Sequence, residues 1–364
     1  MEKPAEVTQS PVPSRPFPSR LVSMGEILID FTPAGTGFDP ESGNPLFSQN
    51  PGGAPANVAA CFAGLGGRSS FLGAVGRDAF GSFLRRALEQ TGVDCGGLAV
   101  KDEGTTLAFV NLSPSGERSF TFRRSPGADT VYCADDIPEN AFTDALFFHF
   151  GSLSLTAEPA RSATFSAASR AAAGGLLLSF DPNWRPALWS SASEAEKAMH
   201  AGIDAAGLVK VSEEEAMLLT GARDRITAGR MLAESTILTV MTLGAEGCLL
   251  FRPGKPEEPL PVPPFPVSAV DTTGAGDAFW GAFLFFLGET LRRTVSPDGK
   301  APVPAENVRS LCAGQIAELP EAELRRIAVL ANAAGALCTT KKGAIPALPS
   351  RRAVEQLAAG VPAL

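Results

Sequence analysis

From residue 145 to the C-terminus, short apolar runs alternate with longer stretches of helical periodicity, and this alternation restricts the fold more than any other feature of the sequence. Strands are expected at 176–181, 207–211, 236–241 and 247–251, and helices at 158–173, 193–205, 213–219, 277–288, 322–339 and 351–359. Strands separated by helices imply a mostly parallel sheet covered on both faces. Upstream, the expected order is a first strand at 21–31, a helix at 57–65 after Pro55, a strand at 70–75 and an amphipathic helix at 80–91. Residues 105–112 and 118–124 read as a hairpin about the turn 113–116. Segments 31–51 and 104–133 break the alternation. Two insertions are expected, a Pro-rich loop at 253–266 and a polar, irregular surface segment at 291–320.

The 364 residues, 45% of them hydrophobic, suffice for one large α/β domain. Residues 1–20 hold five prolines and no apolar core of a signal peptide, so a disordered tail is expected before a domain at 21–364. The net charge of −8 and the absence of a basic run argue against nucleic acid and anionic membrane as partners. An anionic ligand must then be held by local geometry and metal. Six cysteines form no CxxC pair, and His149 and His200 stand alone, so no zinc spacing exists. Free thiols fit a reducing compartment, and a cytoplasmic protein is expected. No apolar stretch approaches 18 residues unbroken, so no membrane span is expected.

The run Asp271-Thr-Thr-Gly-Ala-Gly-Asp277 precedes an unbroken apolar stretch at 278–287. Gly274, Ala275 and Gly276 leave the helix N-terminus bare, and its N–H groups suit an oxyanion or phosphate. Asp277 lies in the first turn, where the helix end favours the ionised carboxylate and so a base. An anion hole and a base on one turn are what phosphoryl transfer to a hydroxyl needs. A Gly-rich turn before a core helix is the plainer alternative.

DTTGAGDAF at 271–279 resembles the C-terminal signature of the ribokinase-like, or PfkB, family of sugar and nucleoside kinases. PGGAPANVA at 51–59 resembles the family's N-terminal signature. The resemblance spans about residues 21–359 and implies a ribokinase-like α/β fold, with 31–51 and 104–133 paired into a small β-lid that leaves a homodimer through the lid open. No GxxxxGK[ST] run occurs, so this is not a P-loop kinase.

Asp30 closes the expected first strand, where a carboxylate accepts sugar hydroxyls or merely caps a strand end. Gly52 and Gly53 permit close backbone approach, and Asn57 carries donors and an acceptor. Arg185, in Asp181-Pro-Asn-Trp-Arg185, offers a planar fork, for a ligand or a structural carboxylate. The resemblance implies sugar contact for Asp30, Gly53 and Asn57. It implies ribose and phosphate contacts for Thr242, Gly244 and Gly247, and adenine or ribose contact for Asn332. It implies that Glu215 orders water on Mg²⁺, although Ser212 stands where the broad family has asparagine. It implies a K⁺ site at Asp271, Thr273 and the loop 341–349. Ala347 lacks the side-chain oxygen of the clearest such site, so cation activation stays open.

GEILIDF at 25–31, FHFGS at 148–152, DPNWR at 181–185 and GAIPALP at 343–349 are similar to runs in fructokinases, above all those of plants. The expected activity is transfer of the ATP γ-phosphate to the primary hydroxyl of fructose, with Mg²⁺. The alternatives are 2-keto-3-deoxygluconate, with Arg123 and Arg124 supplying extra cations, and a non-catalytic regulatory relative.

Overall fold

The computed structural model describes residues 19–112, 118–254, 259–295 and 305–360. The expected tail, apart from its last two residues, lies outside them, as do the hairpin turn 113–116 and parts of both expected insertions. The first half runs β1 (Arg20–Met24), β2 (Leu28–Phe38), β3 (Pro45–Gly52), α1 (Ala54–Gly64), β4 (Arg68–Gly76), α2 (Ala79–Gln90), β5 (Asp94–Lys101), β6 (Leu107–Leu112) and β7 (Arg118–Arg123). After it come β8 (Ala145–Gly151), α3 (Ala160–Ala173), β9 (Leu177–Asp181), α4 (Ala192–Ala205), β10 (Leu208–Ser212), α5 (Glu213–Thr220) and α6 (Arg225–Ala233). The chain ends with β11 (Leu238–Thr242), β12 (Cys248–Phe251), β13 (Leu260–Val262), α7 (Ala275–Val295), α8 (Ala305–Glu318), α9 (Glu321–Thr339) and α10 (Arg351–Ala359).

Nine strands form one sheet in the order β13-β12-β11-β10-β9-β8-β1-β4-β5. All its pairings are parallel except those of β12 and β13 at one edge. Successive residues of each central strand enter opposite cores, as the two-residue period of a strand dictates. Leu21, Phe147, Leu177 and Leu208 pack toward α1, α7, α8 and α9. Val22, Phe148, Leu178 and Val209 pack toward α3, α4, α5 and α6. The expected α/β architecture is therefore present, with both faces buried. Strand order reverses at β1, which lies between β4 and β8. Ligands of such sheets bind at that reversal, beyond the strands' carboxyl ends.

The expected first strand at 21–31 is two strands in two sheets. A Cβ on Gly25 would stand 2.6 Å from Pro55 Cγ, so only glycine lets the chain pass α1 here. Beyond it, Ile29, Asp30 and Phe31 pair with Leu107, Ala108 and Phe109 in a second sheet of order β3-β2-β6-β7. Asp30 thus belongs to the lid and not to the end of a central strand. The lid is shorter than 104–133 suggested. Ala128–Val131 forms a 3₁₀ turn packed on β4 and α3.

The described residues of the segment 291–320 are also more ordered than expected. α7 continues to Val295, and Val308, Cys312 and Ile316 of α8 recur every four residues along one buried stripe. Within 253–266, β13 pairs with β12 and buries Val262. β5 and α6 were not anticipated.

Candidate active site

The turn before α7 is tied down by its own first aspartate. Asp271 Oδ1 accepts from Thr273 N at 3.0 Å and Thr273 Oγ1 at 2.7 Å, and Oδ2 accepts from Gly343 N at 3.0 Å. Gly274 has φ +76°, and a Cβ there would stand 2.7 Å from Ala344 Cβ. Ala275 N–H turns back to Thr272 O at 3.3 Å. The N–H groups of Gly276 and Asp277 follow in the first helical turn, where no intrahelical acceptor exists.

Asp277 is half-buried and accepts a 2.7 Å hydrogen bond from Asn57 Nδ2. Burial, helped by the Asp181 charge, pushes its carboxyl up to about 6, against the pull of Asn57, Lys210 and Arg185. The helix end alone led to the opposite expectation, and desolvation outweighs it. A carboxylate with this value is mostly ionised at neutral pH yet a better proton acceptor than a surface aspartate.

Behind the turn, buried Lys210 donates to Asp181 Oδ2 at 2.8 Å. Burial would lower Lys210, but the charges of Asp181, Glu215 and Asp277 hold it above its usual value, so it stays cationic. A Cβ on Gly276 would lie 3.1 Å from Lys210 Nζ, so this cation stands directly under the turn.

Two cavities meet on the turn. One, of about 360 Å³, is lined by Glu26, Asp30, Gly53, Asn57, Arg185, Lys210, Gly274 and Asp277, with Phe122 of the lid. Burial pushes Asp30 up to about 7, opposed by Arg185. Gly52 does not line this cavity; a side chain there would overlap Asp30 Oδ2, so its absence leaves Asp30 room. The other cavity, of about 590 Å³, is lined by Thr242, Gly244, Gly247, Phe265, Phe279 and Asn332. Asn332 Nδ2 donates to Pro263 O at 2.9 Å and so fixes one of its walls. Thr272 and Gly276 line both cavities.

A model of the pfkB family of carbohydrate kinases matches residues 18–351. The chain belongs to this family. Among relatives of this pfkB kinase, fructokinase-1 of Zea mays is 42% identical over 342 residues, 93% of this chain and 97% of the maize protein. The structure of Xylella fastidiosa fructokinase with bound ATP matches with TM-score 0.78 at 33% identity, over 93% of this chain and 97% of that one. Fructokinase of Vibrio cholerae O395, in its fructose-, ADP- and calcium-bound form, matches with TM-score 0.77 at 35% identity, over 93% and 98%.

Glu215 and Arg124, like Gly52, Asp271 and Arg123, stand apart from the cavities of the pfkB kinase. Glu215 lines neither; its Oε1 accepts from Trp184 N and its Oε2 from Ser212 N, both at 2.8 Å, which caps α5. Arg124 is held by Asp129, Thr156 Oγ1 and Leu153 O, so it braces the base of the lid. The residues that the sequence reading missed are Glu26, Asp181 and Lys210. The apolar run before Asp181 and the lone lysine in strand β10 were the available signals. Among the described residues, no group of three or more His, Cys, Asp or Glu could hold a metal ion, and no helix is long and apolar enough to cross a membrane.

Proposed function

We propose that this pfkB kinase is an ATP-dependent fructokinase that makes fructose 6-phosphate. The observation that carries the proposal is the pair of cavities sharing the Thr272–Gly276 wall, with Asp277 on the smaller side. Fructose would occupy the smaller cavity, against Asp30, Gly53, Asn57 and Arg185. ATP would occupy the larger, with its base and ribose near Asn332 and its phosphates directed at the turn. Asp277 takes the proton of the primary hydroxyl as that oxygen bonds to the γ-phosphorus and the bond to the ADP oxygen breaks. The Gly276 and Asp277 N–H groups, backed by Lys210, offset the charge on the transferring group. Lid closure would exclude water and suppress ATP hydrolysis.

The described residues offer single carboxylates and no cage, which suits Mg²⁺ carried in on phosphates with its own waters, and Glu215 would reach it through water. Bound there, the metal neutralises phosphate charge. A monovalent cation held by Asp271, Thr273 and carbonyls of 343–349 is part of the same proposal, supported by the hydrogen bond that brings Asp271 Oδ2 onto Gly343 of that loop.

The deciding test is coupled ADP release with fructose, glucose, ribose and 2-keto-3-deoxygluconate, run in K⁺ and in Na⁺. The highest kcat/KM is expected for fructose. The commitment of Arg124 to Asp129 removes one cation that a carboxylate sugar would require. A higher value for 2-keto-3-deoxygluconate would overturn the sugar assignment. Inactivity on every sugar would favour a regulatory relative. Equal rates in the two salts would remove the monovalent site.

A further inference from the structure

Glu26 is the most buried carboxyl lining the smaller cavity, at 2% exposure. Gly25 and the crossing from β1 to β2 carry it there. Its Oε1 accepts from Ala54 N at 2.9 Å, the first N–H of α1. Its Oε2 is buried without a hydrogen-bond partner, and so is Asn57 Oδ1 on the same cavity. Buried polar atoms without partners are rare in proteins and call for an explanation. Two of them on one cavity wall point to a ligand that satisfies both.

We propose that Glu26 is a further sugar-binding residue, its Oε2 meeting an oxygen of the bound sugar. This rests on the reading of the smaller cavity as the sugar site. The carboxyl is poised to do so as a neutral acid. Burial pushes it up to about 8; the Ala54 N–H and the charge of Arg124 pull it down, and Asp129 pushes it further up. At neutral pH it therefore presents a hydroxyl hydrogen. Among the other groups on this wall, Asp277 and Asn57 Oδ1 are acceptors, Arg185 is a donor, and Lys210 is engaged by Asp181. A cyclic ketose has a ring oxygen that can only accept. A protonated Glu26 supplies an uncharged donor beside the acceptors Asp277 and Asn57 Oδ1.

The test compares wild type, Glu26→Gln and Glu26→Ala by fructose KM and ATP KM between pH 7 and 9.5. Glutamine keeps the acceptor for Ala54 and places a permanent donor at the second position. At pH 7, Glu26→Ala should raise fructose KM about tenfold or more with ATP KM unchanged, while Glu26→Gln stays within about threefold. Above about pH 8 the wild-type fructose KM should climb toward tenfold per pH unit, and that of Glu26→Gln should stay flat. Above pH 8, Asp277 at about 6 and Asp30 at about 7 are already largely ionised, and Lys210 is held above its usual value, so they do not produce the climb.

Three results overturn the proposal: an unchanged fructose KM in Glu26→Ala, an equal rise of both KM values as expected of a helix cap, or parallel pH profiles for wild type and Glu26→Gln. If Glu26→Ala does not fold, the glutamine profile decides alone. A wild type inactive on fructose would instead defeat the sugar assignment, and the comparison would be made on the sugar that it phosphorylates.

Discussion

On the proposed mechanism, Asp277 concentrates the chemistry and its cost in one side chain. Asp277→Asn keeps the shape but removes the base, so kcat should fall about 10²–10⁴-fold with substrate affinities retained. In the wild type, kcat/KM should fall as pH drops through about 6, where the carboxylate takes up a proton. The effect on stability has the opposite sign. A carboxyl whose value rises on folding binds its proton more tightly in the folded state. Its penalty is absent below the unfolded value, grows as pH rises toward 6 and is complete above that. Asp277→Asn should therefore raise Tm at pH 7 in the absence of ligands. An unchanged kcat would reduce the run 271–277 to a structural cap, and a lowered Tm would show that the helix end outweighs desolvation. Gly52 gives a second test at this scale. Gly52→Ala places a methyl on Asp30 Oδ2, and fructose KM should rise with ATP KM unaffected. Equal changes in both would mean that the lid strand, and not Asp30, had been disturbed.

Individual elements differ in how openly the sequence announces them. The turn 271–277 and the start of α1 were legible because glycines, an aspartate and an asparagine mark them locally. The break between β1 and β2 was not, because the apolar run resumes through Ile27 and Ile29 and only Ser23, Gly25 and Glu26 interrupt it. The Lys210–Asp181 pair joins neighbouring strands 29 residues apart, and no local pattern encodes such a contact. α8 was within reach, since Val308, Cys312 and Ile316 carry a helical period that surrounding polar residues obscured. Its packing is testable. Ile316 is fully buried, so Ile316→Ala should cost about 2–4 kcal/mol of stability and leave both KM values unchanged. A loss under about 0.5 kcal/mol, an ordinary surface value, would show that this helix is not docked.

At the scale of the whole molecule, the small sheet leaves apolar side chains exposed among the described residues. Leu46 and Phe47 of β3 are each 39% exposed. We infer that a second copy of the chain covers this surface. Phe47→Asp should then convert a dimer to a monomer in light scattering, and a monomeric wild type at micromolar concentration would contradict the inference.

The crossing at Gly25 separates duties that a single strand would have kept together. Asp30 and Phe122 stand on the small sheet, while Asp181, Lys210 and Asp277 stand at the edge of the large one. On the proposed reading, part of the acceptor's surroundings is thus inherited through the small sheet and the phosphate-facing turn through the large one. Replacement of residues 28–52 and 107–123 by those of a relative with another preference exchanges the first and leaves the second in place. Such a graft tests how far this architecture is modular.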